Sequence, residues 1–142
     1  MKILVLNGVN LDMLGKRDPQ VYGDMTLPKL NCSVKAYANK LGAKVVFKQS
    51  NCEGTLVDIL HKTKCDGVLF NPGAYTHYSY ALRDAIECMS VPVVEVHLSN
   101  VMEREDFRKI DVLEDVVAAK FYGNKVLSYF DGISFLVERL SK

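Results

Sequence analysis

Residues 26–48, TLPKLNCSVKAYANKLGAKVVFK, carry a helix and then a strand across one glycine, and that junction decides the fold. Thr26 offers a side-chain oxygen to the unpaired N–H groups of a first turn, and Pro28 is tolerated there because it forfeits no intrahelical bond. Leu30, Val34, Tyr37, Ala38 and Leu41 recur at helical spacing and share one face. Gly42 suits the left-handed position just past the last turn. Lys44–Lys48 then reads as a strand. Ahead of this unit, Lys2–Leu6 reads as a buried strand ending in Asn7-Gly8, so the chain opens as β-α-β.

The same alternation continues downstream. Leu56, Ile59 and Leu60 mark the inner face of a helix, and Val68–Phe70 is a short strand ending at Asn71-Pro72-Gly73. A helix beginning near Thr76 is lined by Ala81, Leu82, Ala85 and Ile86. Val91–Val96 is a fourth strand, running into His97-Leu98-Ser99-Asn100. Glu103–Lys109 reads as a short exposed helix laced with i,i+4 pairs, and Val116–Phe121 as a fifth strand. Val126, Tyr129, Phe130, Ile133, Leu136, Val137 and Leu140 form the apolar stripe of a C-terminal helix. Right-handed crossovers would put helices on both faces of a five-stranded, mainly parallel sheet, an α/β three-layer sandwich. Residues 1–142 are expected to form a single domain.

Composition narrows the function. The chain is 49% hydrophobic and 25% charged, with a net charge of +1, which speaks against nucleic acid or an anionic membrane as partner. A chain of this size can bury roughly two thirds of its unfolded surface and needs no covalent staple. The four cysteines form no C-x-x-C pair, and three histidines assemble no zinc spacing, so buried reduced thiols and no metal are expected. MKILVLNG turns polar too early for a signal peptide, and no apolar stretch approaches a membrane span, so a cytoplasmic location is expected.

Ligands of open parallel sheets bind beyond the carboxyl ends of the strands. Here those ends are rich in amides and hydroxyls: Asn7 and Asn10, then Gln49, Ser50 and Asn51, then Asn71, then His97, Ser99 and Asn100. Such a set suggests a polar pocket for an oxygen-rich ligand. No G-x-G-x-x-G follows the first strand and no Walker-type loop occurs, which argues against nucleotides. Backbone amides at the Asn71–Ala74 turn could attract a carboxylate or a phosphate. On residues 15–23, GKRDPQVYG, Arg17 could lower the pKa of Tyr22 and make it a base. Bringing a tyrosine from about 10 to neutrality needs roughly 4 kcal/mol of differential stabilisation. Spacing alone favours the plainer alternative, a solvated arginine and a surface tyrosine.

Four segments resemble, in order, the signatures of the type II 3-dehydroquinate dehydratase family: LNGVNLDMLGKRDPQVYG (6–23), QSNCEGTLVD (49–58), NPGAYTHYSYALRDAI (71–86) and PVVEVHLSNV (92–101). The resemblance runs from about residue 2 to Arg108. It implies a flavodoxin-like fold, no cofactor, 3-dehydroquinate as substrate and a dodecamer of four trimers. It also implies roles. Tyr22 resembles the base and Arg17 its activator, while Asn10 holds the water that stabilises an enolate. His97 resembles the general acid, and Glu95, two residues earlier on the same strand face, orients it. Asn71, His77 and Arg108 would meet substrate hydroxyls, the backbone at Leu98 and Ser99 the carboxylate, and Asp84 would be offered to a neighbouring subunit's site.

Several positions depart from the family pattern. Val9 stands where proline is usual, Asp12 where Asn is common, and Cys52 where His or Ser often occurs. The family's F-R-x-H-S reads Phe107-Arg108-Lys109-Ile110-Asp111, without its His-Ser pair, and FYGNKVLSYFDG replaces a shorter glycine-rich turn. These changes bear on subunit contacts more than on the reaction. His61 and Lys16 read as solvated, and Tyr75, Tyr78 and Tyr80 as packing at a helix start. Two rivals stand beside catalysis: a flavin carrier, which would want hydroxyls after strand one, and an inactive relative that binds a cyclic polyol carboxylate.

Overall fold

The 26–48 unit forms as its residues require. Its helix spans Leu27–Lys40, the Thr26 hydroxyl accepts from the Lys29 N–H at 3.4 Å, and Gly42 takes a positive φ of 76°. The computed structural model describes residues 1–22 and 24–142, with Tyr22 described by its backbone alone. Among these residues the strands are β1 (Lys2–Asn7), β2 (Lys44–Gln49), β3 (Gly67–Asn71), β4 (Val93–Val96) and β5 (Ala119–Phe121). The helices are α1 (Pro19–Tyr22), α2 (Leu27–Lys40), α3 (Glu53–Lys62), α4 (Tyr80–Glu87) and α5 (Val126–Leu140).

The sheet is parallel throughout, in the order β2-β1-β3-β4-β5. The chain leaves β1 toward one edge and later returns to its other side as β3. Beyond the carboxyl ends of β1 and β3 the loops therefore diverge and open a crevice. Alternation along each strand feeds two cores. Ile3, Val5, Leu69 and Val94 pack under α2 and α5, whereas Leu4, Leu6, Val68 and Phe70 pack under α3 and α4. Each such aliphatic contributes about 1.5–3 kcal/mol by leaving water. Gly132 lets α5 pack closely on β3, because a Cβ there would collide with the Leu69 side chain.

Some expected elements take other forms. The fourth strand begins at Val93, because Pro92 has no N–H to donate. The fifth is only Ala119–Phe121: Val116 and Val117 instead donate to the Leu113 carbonyl in a turn and pack into the α3/α4 core. No helix starts near Thr76. Gly73–His77 is a 3-10 turn, and α4 begins at Tyr80 with the Ser79 hydroxyl capping the Leu82 N–H, so no open helix end faces an anion there. Glu103–Lys109 is likewise not one helix, because 3-10 turns at Val101–Glu103 and Asp106–Lys109 flank Arg104 and Glu105. Two of its ion pairs accordingly run i,i+3, Glu105 to Arg108 and Asp106 to Lys109, since 3-10 geometry eclipses those positions, and Glu105 also meets its neighbour Arg104. Of the cysteines only Cys65 is buried; Cys32, Cys52 and Cys88 are exposed, and all are free thiols.

Candidate active site

The carboxyl edge of the sheet places amides side by side. In register, Asn7 of β1 lies between Gln49 of β2 and Asn71 of β3. Asn7 and Asn71 are buried, and α5 reaches one polar atom of each from below, while Asn7 Nδ2 has no partner among the described residues. The Tyr129 hydroxyl donates to Asn7 Oδ1 at 2.7 Å and accepts from Asn71 Nδ2 at 2.8 Å. Burial drives that hydroxyl well above the ordinary tyrosine range, so it stays protonated and able to donate. Asn71 Oδ1 accepts from the Gly73 N–H at 3.0 Å and sets the following turn. That turn rests on the first loop so closely that Gly73, at φ 64°, has room for no side chain: a Cβ would sit 2.6 Å from the Val9 carbonyl oxygen.

Between these two loops and the segment after β4 lies a cavity of about 130 Å³. Polar groups reach it from every wall: Asn10 and Arg17 from the first loop, Asn71 and His77 from the second, His97 and Ser99 beyond β4. Leu98 and Arg108 complete the predicted residues that line it. Asn10 adopts the left-handed conformation at φ 66°, and its N–H is held by Asn51 Oδ1 at 2.9 Å. Asn51 also accepts from Gln49 Nε2 and donates to Asp12, so the end of β2 braces the Asn10 loop. Gln49, Ser50, Asn51 and Asn100 do not line the cavity; Asn100 instead caps the turn at Val101 by accepting from the Met102 N–H.

His97 is 5% exposed and Glu95 fully buried. The imidazole donates from Nε2 to Glu95 Oε1 at 2.5 Å. The same carboxylate oxygen accepts from the Thr76 hydroxyl at 2.6 Å, which also lies 2.9 Å from Asp111 Oδ1. Asp111 in turn accepts from Lys120 Nζ at 2.6 Å and from the Leu113 N–H at 2.8 Å. Burial opposes the charge on Asp111, but the Lys120 and Leu113 bonds outweigh it and hold the carboxyl below its usual range. Burial likewise opposes the charge on Lys120, and Asp111 outweighs it, aided by Glu95. Across the cavity, His77 Nδ1 meets the Ile110 carbonyl at 2.7 Å. Partial burial, with the nearby charges of His97 and Arg108, holds His77 below the usual imidazole range, so it is neutral at neutral pH.

Two predicted residues are not brought to this cavity. The side chain of Tyr22 lies outside the described residues, and with it the pairing expected with Arg17. Asp84 is exposed on the outer side of α4, away from the lining. Tyr78 and Tyr80 are 60% and 68% exposed, contrary to the packing expected of them, although the Tyr78 ring meets that of Tyr75 edge-on, and Tyr75 donates to the Asn51 carbonyl. The residues that sequence reading passed over are Arg104, which lines the cavity, and Thr76, Asp111, Lys120 and Tyr129, which stand behind it. A lysine inside the short apolar run AAKFY was the available signal for Lys120. Among the described residues no cluster of His, Cys, Asp or Glu is arranged to hold a metal ion, and no helix is long and apolar enough to cross a membrane.

Comparison with known proteins bears on the family and the fold. The chain matches the family model described as dehydroquinase class II over residues 1–137. A 3-dehydroquinate dehydratase from Pelotomaculum thermopropionicum is 52% identical over 131 residues, 91% of each chain. Another from Nostoc sp. is 51% identical over 142 residues, covering 99% of this chain and 97% of that one. The crystal structure of a type II dehydroquinase from Butyrivibrio crossotus superposes with a TM-score of 0.93 at 42% identity, covering 96% of this chain and 97% of its own. A 3-dehydroquinate dehydratase-like protein from Bifidobacterium longum gives a TM-score of 0.75 at 27% identity, covering 100% of this chain and 99% of its own.

Proposed function

Because the chain belongs to the class II dehydroquinases and is a 3-dehydroquinate dehydratase, we propose that the cavity at the ends of β1, β3 and β4 binds 3-dehydroquinate and divides the elimination between Tyr22 and His97. The observation that carries this assignment is the His97–Glu95 couple, a buried imidazole fixed by a buried carboxylate at the wall of a polar cavity.

Tyr22, made acidic by Arg17, removes the proton at C2, and the electron pair moves into the C3 carbonyl as an enolate. A water held by Asn10 donates to that oxygen while the charge is present. Collapse of the enolate expels the C1 hydroxyl, which leaves as water with a proton from His97, and the product is the conjugated enone 3-dehydroshikimate. The bond from His97 Nε2 to Glu95 leaves Nδ1 to serve the leaving group. Base and acid act from opposite faces of the ring, an anti elimination. Asn71, His77 and Arg108 hold the substrate hydroxyls, and the backbone N–H groups of Leu98 and Ser99 hold its carboxylate. The loop bearing Arg17 and Tyr22 closes the site and excludes water.

The reaction so described needs no cofactor, and it works with residues 1–142 as one catalytic domain in the cytoplasm. Asp84 completes the site of a neighbouring subunit in a dodecamer built of trimers. Its exposure on α4, one turn from the exposed Tyr80, supports that reading. The test is an ultraviolet assay for the enone with parent, Tyr22→Phe and His97→Ala protein, each checked for folding and for mass by light scattering. Turnover by the parent with losses of about 100-fold or more in both variants is expected. A folded, assembled parent without turnover would overturn the assignment.

A further inference from the structure

The chain from His97 through Glu95 and Thr76 ends on a pair of charges that the family's signature segments do not include. Asp111 stands where the family segment has the serine of its His-Ser pair. Lys120 is the direct register partner of Glu95 on the adjacent parallel strand, so the two side chains share the α3/α4 face of the sheet. Lys120 and Asp111 have side chains only 13% and 4% exposed. Their loop is pinned from the other side by Arg83, which donates to the Val112 carbonyl and to the Asp115 carboxylate.

Proton bookkeeping shows what the pair does. Thr76 has one hydroxyl hydrogen and two carboxylate oxygens within reach, Glu95 Oε1 and Asp111 Oδ1. Asp111 already receives two donors, Lys120 Nζ and the Leu113 N–H. Glu95 is the poorer of the two: its Oε2 is buried with no hydrogen-bond partner among the described residues. The hydroxyl hydrogen therefore goes to Glu95, as the shorter contact also requires. Without Lys120, two buried carboxylates would flank one hydroxyl with no cation between them, an arrangement that takes up a proton.

We propose that Asp111 and Lys120 are positioning residues of the acid site: Lys120 neutralises the second carboxylate, the Thr76 hydrogen is thereby committed to Glu95, and the pair sets the proton affinity of the His97–Glu95 couple. The proposal rests on His97 acting as the general acid. Among the described residues, the other charged or titratable groups lining the cavity with the imidazole are His77 in the turn after β3, and Arg17, Arg104 and Arg108. The variants below leave all four in place.

The experiment uses the assembled enzyme as Lys120→Met, Asp111→Ser and the double variant. It reads the alkaline limb of the kcat–pH profile with 3-dehydroquinate. It also reads the ring resonances of His97 against pH in ligand-free protein, assigned among three histidines by their loss in His97→Asn. Removing the cation should move both readouts upward by about one pH unit, and removing the anion should move both downward by a similar amount. The double variant, which removes both charges, should return to the parent. A pair that is merely structural would lower stability and leave both readouts at the parent's position in all three folded variants, which would overturn the proposal. Should Lys120→Met fail to fold, the Asp111→Ser shift and its reversal in the double variant decide the matter. If turnover proves independent of His97, the catalytic assignment falls, while the resonances still decide whether the pair controls this imidazole.

Discussion

Replacing Tyr129 with Phe removes one oxygen from the centre of the molecule and leaves the ring in place. Tyr129 is wholly buried, and its hydroxyl is at once donor to Asn7 and acceptor from Asn71. Its loss orphans a buried carbonyl oxygen and a buried amide N–H, each of which costs about 1–3 kcal/mol when unsatisfied. Against this, folding no longer has to strip water from a hydroxyl, so the expected destabilisation is about 2–4 kcal/mol. That is a large share of the roughly 5–15 kcal/mol that holds a domain folded. Urea unfolding should show a lower midpoint at unchanged slope, since no extra surface is exposed. Tyr37→Phe is the control. Among the described residues its hydroxyl meets only the Ser134 hydroxyl, at 2.8 Å in a half-buried position, so less than about 1 kcal/mol is expected. Asn71 lines the cavity, so KM for 3-dehydroquinate should rise severalfold in Tyr129→Phe with a smaller change in kcat. A variant within about 0.5 kcal/mol of the parent and with unchanged KM would refute the claim that this hydroxyl holds the two amides.

The remaining expectations concern the loops and the buried charges. Gly73→Ala would put a methyl into the Val9 carbonyl at a positive φ, which costs about 1–2 kcal/mol from backbone strain before the clash is counted. Denaturation and KM should both record the displaced turn. Glu95→Gln keeps the size but not the charge that anchors His97, so kcat should fall about 10- to 100-fold, part of what a positioned acid supplies, with KM changed much less. Asp111 is held below its ordinary 3.8, so its contribution to stability is complete above about pH 4 and is lost as the pH falls through the lowered value. Lys120 is held above its ordinary 10.5, so its contribution is complete below that pH and is lost as the pH rises through the raised value. Unfolding of Asp111→Ser/Lys120→Met should therefore be less sensitive to acid than that of the parent, and equal sensitivity would place the acid response elsewhere.

The sheet was legible because its strands are short apolar runs punctuated by Gly, Pro and Asn, and its helices repeat at a clean period. Thr26, Gly42 and the stripe from Val126 to Leu140 each sit in the element they forecast. The two misread helices share a cause. Thr76 and the segment 103–109 have helical composition, but their backbones bond otherwise: the Thr76 carbonyl accepts from the Val112 N–H, and the Glu105 carbonyl accepts from the Arg108 N–H in a 3-10 turn. Composition reports propensity; a tertiary bond decided the first segment and a local 3-10 bond the second. Free cysteines are usually buried, so the exposure of Cys32 on α2, and of Cys52 and Cys88 at the ends of α3 and α4, was not legible from residue type.

For the site, what could be read was what touches the cavity, and what could not was what stands behind it. His97, Asn71 and Asn10 end strands or open loops, positions where a polar residue stands out against its apolar neighbours. Glu95 was reachable too, as a charge in the middle of the run VVEV. Its further partners were not, because they depend on which residue lies opposite on the next strand. The register Glu95↔Lys120 joins two segments separated by two 3-10 turns and a loop, and nothing local to either specifies it. Tyr129 was hidden for the opposite reason: it satisfies the apolar stripe of α5, and only packing against β1 and β3 reveals that its hydroxyl has work to do. Supporting residues of this kind are therefore best sought as polar atoms inside otherwise apolar layers: Tyr129 bonds directly to Asn71 at the cavity wall, and Lys120 reaches His97 there through Asp111, Thr76 and Glu95.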